Sequence, residues 1–392
     1  MEKQALLDGF KKVFGRSGQD VFFSPGRINL IGEHTDYNNG LSMPCAISLG
    51  TYGVFAPRND DQVELYSQNI KGNIVSFPVT DETPIARPEE QWANYFKGML
   101  TYLRQSGYEI NNGFSLYVYG NLPYGAGLSS SASIEMLMGE ILKDEYNIPV
   151  SNIQLARLGQ RTENEFLGLK SGIMDQFAVR MGKKNNAVLL NSATLSYQYK
   201  PMDNLDYILI IMSTNKKHSL ANSAYNDRVK QCHDALQLLQ QKLEISSLSD
   251  LDFKMLEEYS YLINNPVLIQ RVRHVVTENA RTQEATHAIQ TGDMEYLGRL
   301  INASHVSLAY DYEVSSKELD TLVNTAWQQP GVAGARMIGG GFAGSAIALV
   351  KRSQVDNLKA KVSAVYRQKI GYDASFYDVE IVDGPRKLDL ME

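Results

Sequence analysis

The sequence predicts an α+β protein in two lobes, and three observations carry that reading. A strand, a Gly/Ser-rich turn and a helix follow one another from Phe114 to Leu142. The short apolar runs Ala187–Leu190, Tyr207–Met212 and Ser345–Val350 have the length of buried strands. Between the last two lies a stretch from about 219 to 305 that is rich in helix formers and holds one proline, Pro266. This change of character puts a boundary near residue 205, giving domains 1–205 and 206–392. A ligand site is expected between them.

The elements follow in chain order. Phe10, Val13 and Phe14 recur at helical spacing, so residues 2–14 read as an amphipathic helix. Val21–Ser24 and Ala46–Ala56 read as strands, with Gly and Pro punctuation around them. Phe114–Tyr119 alternates as a strand, and Ile134–Leu142 reads as a helix. Ser151 has the chemistry of an N-cap for a helix whose apolar side is Ile153, Leu155, Leu158 and Phe166. In the second half, Glu318–Trp327 is another helical pattern. Gly339–Gly344 breaks the chain before a strand, a helix spans Gln354–Gln368, and Phe376–Val382 is a last strand.

Composition narrows the function classes. The chain has 392 residues, 43% hydrophobic and 21% charged, as in ordinary globular proteins. The net charge of −6, with no basic stripe, argues against nucleic acid as the main ligand. Cys45 and Cys232 stand far apart, in no C-x-x-C pair, which disfavours a disulfide framework or zinc site. The N-terminus lacks a signal-peptide pattern, and no run is long enough to span a bilayer. A cytoplasmic protein is expected.

The run Pro123-Tyr124-Gly125-Ala126-Gly127-Leu128-Ser129-Ser130-Ser131-Ala132-Ser133 is the most informative segment. A Gly/Ser-rich turn between strand and helix aims free backbone N–H groups one way, and the helix N-terminus adds positive partial charge there. That is a phosphate cradle, with small residues that let phosphate approach and hydroxyls that can ligate magnesium. It is neither a Walker A loop nor a dinucleotide fingerprint, lacking the Lys of one and the third glycine of the other. The competing reading is a surface turn with serine caps.

Arg27-Ile28-Asn29-Leu30-Ile31-Gly32-Glu33-His34-Thr35-Asp36-Tyr37 concentrates one cation, two carboxylates, a histidine and two hydroxyls. Such density suits a polyhydroxylated ligand, because carboxylates accept hydrogen bonds from paired hydroxyls. A metal site at Glu33, His34 and Asp36 is a lesser reading, and a solvated, ion-paired turn is the bland one. Taken singly, Asp175 reads as a helix cap, Glu163 as a solvated helix residue and Gly339–Gly341 as a tight turn.

Taken together, the segments closely resemble the GHMP kinase superfamily and, within it, the galactokinase family. The resemblance rests on Gly26–Tyr37, Pro123–Ser133, Gly172–Gln176 and Gly339–Gly344, and it runs over essentially the whole chain. The first motif is specific to galactokinases and their closest relatives, whereas the phosphate loop and third motif are shared across the superfamily. Ala343 stands where the third motif usually has glycine. Its methyl disfavours positive φ, but with Gly339, Gly340, Gly341 and Gly344 retained the turn is expected to tolerate it.

The resemblance implies an N-terminal lobe like ribosomal protein S5 domain 2 and a ferredoxin-like C-terminal lobe. It also implies ATP-dependent phosphorylation of α-D-galactose at C1, the entry step of galactose catabolism. ATP phosphates would lie on Gly125, Ala126, Gly127, Leu128, Ser129, Ser130 and Ser131, with Ser67 a further nucleotide contact. Mg²⁺ would be held by Ser131 and Glu163. Asp175 matches the family's base, and Arg27 its neighbour, which would offset charge building on the phosphoryl oxygens. Glu33, His34, Thr35, Asp36 and Tyr225 would bind the sugar. The partners implied are galactose and ATP, with no nucleic acid, no membrane and no obligate protein partner, so a monomer is expected. Two alternatives stay open: a kinase for a related sugar such as N-acetylgalactosamine, and a galactokinase-like sugar sensor. The intact Ser131-Ala132 pair favours catalysis over sensing.

Overall fold

The computed structural model describes residues 3–70, 72–203, 206–216 and 221–389, the side chains of 221–223 excepted. The boundary expected near 205 falls on residues 204 and 205, outside that set, as does Glu2 of the first helix.

The first lobe is built on a six-stranded sheet. Its spatial order is Arg386–Lys387, Asp20–Asn29, Pro44–Pro57, Phe114–Gly120, Gln62–Ser67 and Val75–Pro78. Only Gln62–Ser67 against Phe114–Gly120 is parallel. Helices Asn94–Gln105 and Ser130–Glu145 bury one face through Phe96, Met136 and Leu137, which pack on Phe22, Phe55 and Leu65. Helix Lys3–Phe14 covers the other face through Leu6 and Phe10. A smaller sheet joins Leu41–Ser42, Asn186–Asn191 and Tyr197–Pro201.

The second lobe holds a four-stranded antiparallel sheet in the order Val332–Ile338, Ser345–Lys351, Tyr207–Ser213, Ser375–Asp378. Counted along the chain this is second, third, first, fourth, the expected ferredoxin-like arrangement. Both faces of this sheet are buried. Ile210, Met212, Ala346 and Ala348 face the lobe's own helices, with Val272, Leu308 and Val362. Leu209, Ile211, Ile347 and Leu349 face the first lobe, with Ile28, Leu30 and Ile47. Successive strand residues point to opposite faces, so a sheet covered on both sides must be apolar at every position. That explains why these strands read as unbroken apolar runs, and it makes the two lobes share one core.

Several elements differ from expectation, each for a local reason. The first strand does not stop at Ser24. It runs through Pro25 to Asn29 with a register shift between Pro25 and Gly26, so the proline sits at a bulge and not at a strand end. Arg27 is therefore a buried strand residue, not part of a solvated turn. Helix Asn94–Gln105 was not foreseen, because Lys97, Gly98 and Thr101 interrupt its apolar stripe. Lys97 is buried nonetheless, with Nζ 2.6 Å from Asp81 and over the Phe77 ring. The chain's end, assigned on sequence to the second half, returns to the first sheet: Ile381 bridges Ile47, and Arg386–Lys387 pairs with Phe22 and Phe23. Strands Gln62–Ser67, Val75–Pro78, Tyr197–Pro201 and Val332–Ile338 were also unforeseen. No helix among the described residues is long and apolar enough to cross a membrane.

Candidate active site

The phosphate loop docks where the bulged strand begins its charged segment. The Arg27 N–H donates to the Leu128 carbonyl (3.2 Å). The loop itself needs left-handed backbone: Gly125 has φ 71° and Gly127 φ 70°. Ser129 also has positive φ, and it precedes helix Ser130–Glu145 without a side-chain cap, so the serine-cap reading does not hold there. Ala126 and Leu128 bury their side chains in the core shared by the lobes, which leaves only their backbone for a phosphate. Ser130 is exposed and Ser131 partly so, at the helix N-terminus.

Arg27 joins three elements. Its Nε and Nη2 donate to the two oxygens of Asp175 (2.8 and 2.9 Å), and Nη1 donates to the Gly127 carbonyl (2.7 Å). Such a fork is the geometry that fixes a carboxylate's orientation. The Ser129 hydroxyl also donates to Asp175 Oδ2. Its side chain thus holds Asp175, and its backbone stays within the loop expected to take phosphate.

Asp175 opens helix Met174–Arg180 and lines a cavity of about 140 Å³. Arg27, Glu33, His34, Asp36, Gly172, Tyr225, Gly339 and Gly340 share that cavity. It is well below the ~300–1,000 Å³ typical of sites for larger ligands, and charged and polar side chains line it beside apolar surface. Asp36 lies so close to Gly172 that a Cβ there would sit 1.8 Å from its Oδ2. The Met174 N–H donates to the same oxygen (3.3 Å). Burial, and then the charge of Asp175, push the Asp36 carboxyl up to about 6. Burial also raises the Glu33 carboxyl, against the opposing charge of Arg336. His34 has φ 59°, and its Nδ1 lies 2.9 Å from the Tyr37 hydroxyl. Burial, and then His274, lower its pKa to about 3, so it stays neutral near neutral pH and is a weak proton acceptor. The Tyr225 ring comes from the second lobe, 5.5 Å from the His34 ring.

Thr35, expected to bind the sugar, does not line this cavity, and Ser67, expected to contact the nucleotide, lies elsewhere. Thr35 is fully buried, and its hydroxyl lies within hydrogen-bond distance of the Gly32 and Leu41 carbonyls, so it shapes the turn. Ser67 ends strand Gln62–Ser67 beside Val118, two residues before the strand that feeds the phosphate loop ends. Glu163 lies on a π-turn, Thr162–Phe166, buried beside the loop. Burial raises its carboxyl, partly offset by the hydroxyls of Ser171 and Ser131. One carboxylate and one hydroxyl form a hard-oxygen pair next to the phosphate cradle. They suit a cation whose remaining ligands are phosphate and water. No cluster of three His, Cys, Asp or Glu among the described residues could hold a metal, so the metal reading of Glu33, His34 and Asp36 finds no support.

The third motif closes the site. Glu33 Oε2 accepts from the Gly339 N–H (3.0 Å), and a Cβ on Gly339 would lie 3.1 Å from the Gly127 carbonyl. The positive φ in this turn falls on Gly339, Gly341, Phe342 and Gly344 and not on Ala343, whose methyl is simply buried. The tolerance expected for that substitution has this conformation as its cause.

Comparison with known proteins agrees with this geometry. The galactokinase galactose-binding signature matches residues 8–57, the GHMP kinase N-terminal domain 94–183 and the C-terminal domain 285–368. A galactokinase of Limosilactobacillus fermentum is 65% identical, over 99% of this chain and all of that protein. The chain belongs to the galactokinase family. A galactokinase of Lactobacillus helveticus is 59% identical over the same shares. A crystal structure of Lactococcus lactis galactokinase complexed with galactose matches with TM-score 0.95 and 46% identity, covering 98% of this chain and 99% of that one. Mevalonate kinase of Methanococcus jannaschii, at 18% identity and TM-score 0.65 over 94% and 99% of the chains, shares the fold.

Sequence reasoning missed part of what holds this galactokinase-family site together. Ser129 was assigned to the nucleotide, although its hydroxyl supports Asp175. Arg336 and Glu278, both fully buried beside Glu33, carried no motif. The signal available was a lone arginine inside Val332–Ile338, an otherwise apolar strand.

The Asp36 value sets a pH expectation. As pH falls through about 6, Asp36 takes a proton and loses acceptor capacity. Affinity for galactose without nucleotide, measured by calorimetry, should hold between pH 7 and 8 and decline below 6. Constant affinity from pH 5 to 8 would remove the Asp36 carboxylate from sugar recognition.

Proposed function

We propose that the protein transfers the γ-phosphoryl group of ATP to the C1 hydroxyl of α-D-galactose, giving galactose 1-phosphate and ADP. The observation that carries this reading is the Arg27–Asp175 fork, which faces the polar cavity on one side and the phosphate loop on the other. Asp175 Oδ2 already accepts from Arg27 and Ser129, whereas among the described residues Oδ1 accepts from Arg27 alone, which leaves a lone pair for the sugar hydroxyl. Asp175 then orients that hydroxyl and receives its proton as the oxygen takes the phosphoryl group. A loose transition state asks for little activation of the nucleophile, so orientation is the larger contribution. Arg27 lies where it offsets charge on the transferring group.

Asp36 and Glu33 are the acceptors proposed for the sugar hydroxyls, with Tyr225 and His34 packing around the ring. ATP phosphates would lie on the backbone of Gly125–Ser131. Ser131 and Glu163 would hold Mg²⁺, which neutralises phosphate charge when bound. The product feeds galactose catabolism. A cytoplasmic setting fits the two buried, unpaired cysteines.

Asp175→Asn keeps the shape and removes the charge. It should lower kcat by roughly 10²–10⁴-fold, the usual scale of acid–base assistance, while galactose still binds by calorimetry. Near-normal turnover would exclude Asp175 from the chemistry. Glu163→Gln replaces a charged ligand with a neutral one and should raise the magnesium concentration giving half-maximal rate. An unchanged magnesium dependence would make Glu163 structural.

A further inference from the structure

The turn that carries Glu33 and His34 is strained and needs outside support. His34 has φ 59°, an uncommon conformation for a residue with a side chain, whereas Gly32 takes its φ of 85° without strain. Such backbone persists only where its surroundings over-determine it. Part of that support is local, from Asn29 and Thr35 on the Gly32 carbonyl, and the rest comes from the second lobe. Glu278, on helix Pro266–Thr291, places Oε1 so that it accepts from the Gly32 N–H (2.9 Å), the Glu33 N–H (3.2 Å) and the Ser304 hydroxyl (2.7 Å). Its Oε2 accepts from Arg281 Nε (2.8 Å). Arg336, on strand Val332–Ile338, donates through Nη2 to the Glu33 carboxylate and to the Asn29 carbonyl (2.7 Å), and through Nη1 to Ser304 (3.2 Å). Its Nη1 also lies 3.7 Å from Glu278 Oε1. His274 Nε2 lies 3.0 Å from the Glu33 carbonyl and must carry the hydrogen, since a carbonyl only accepts. Nδ1 then accepts from Ser307 (2.9 Å).

We propose that Glu278 and Arg336 are positioning residues for sugar recognition, holding the 29–34 turn and the Glu33 carboxylate in the geometry that receives the sugar. Neither lines the cavity, so both act through Glu33 and His34. Their burial is poor evidence of a stabilising role, because desolvating such a cluster offsets much of its Coulomb gain. Specifying one backbone conformation is the function that fits a carboxylate capping two successive N–H groups. Burial alone would raise the Glu278 carboxyl, but Arg281, His274 and Arg336 outweigh it and hold it at about 2, ionised and able to accept. Because the network spans both lobes, it also couples the sugar turn to the strand leading into Gly339.

This inference rests on galactose being the acceptor, and the test separates the two. KM for galactose, KM for ATP and kcat are measured on full-length wild type and on Glu278→Ala, with thermal melting as the folding control. Losing the shared acceptor leaves two buried N–H groups unpaired, so galactose KM should rise about tenfold or more, with ATP KM unchanged and kcat within about threefold. A folded Glu278→Ala variant with wild-type galactose KM, or with both KM values raised alike, overturns the positioning role. Arg336→Lys keeps the charge and loses the fork, and it serves if Glu278→Ala does not fold. It should raise galactose KM selectively, and an unchanged value in the folded variant overturns the proposal equally. Wild type that does not phosphorylate galactose in the same assay overturns the acceptor assignment itself.

Discussion

The site depends on one interaction, the fork between the buried Arg27 and the partly exposed Asp175. Arg27 comes from a bulged strand, Asp175 from the start of a helix, and the remaining guanidinium N–H holds the Gly127 carbonyl of the phosphate loop. A planar five-donor cation can satisfy both partners at once, which the single ammonium of lysine cannot do with the same geometry. The distance between phosphate cradle and acceptor group is thereby set by one side chain. The bulge at Pro25 and Gly26 is what turns Arg27 toward both. Removing Asp175 would leave the buried Arg27 guanidinium without its carboxylate, a large cost in such a setting.

The second constraint is the core that the lobes share. Leu209, Ile211, Ile347 and Leu349 pack the second sheet directly on Ile28, Leu30 and Ile47, the strands that carry and flank Arg27. Burial of this extent makes rigid-body separation of the lobes costly. The sugar turn, the phosphate loop and the Gly339–Gly344 turn are therefore held at fixed separations, as catalysis by positioning requires.

Most of this was legible in the sequence where local chemistry is unambiguous. The Gly/Ser turn after Phe114–Tyr119, the Ser151 N-cap and the apolar strands Tyr207–Ser213 and Ser345–Lys351 each follow from a propensity or periodicity that tertiary structure did not override. The cavity residues Glu33, His34, Asp36, Asp175 and Tyr225 came from family resemblance, and the cavity gathers all five. What was illegible depends on partners that no local pattern names. Nothing local to Thr35 says that its hydroxyl turns inward, and nothing near Ser129 says that it supports Asp175. Lys97 and Arg336 look like surface residues until Asp81 and Glu33 are placed beside them. Burial of a charge is decided by its partner, and a single sequence does not reveal the pair, whether it lies 16 residues away, as Asp81 does from Lys97, or 303, as Glu33 does from Arg336.

The central claim is that one polar cavity delivers the C1 hydroxyl of galactose to a phosphoryl group held on the Gly125–Ser131 loop. Its most direct test is parallel turnover with ATP and either galactose or glucose, with the position of the product phosphate read by carbon–phosphorus coupling in NMR. The account predicts phosphate on C1 of galactose. It also predicts a kcat/KM preference over glucose of roughly ten- to several-hundred-fold, the scale of one unmet buried hydrogen bond. Equal use of the two sugars, or phosphate at another carbon, would contradict it.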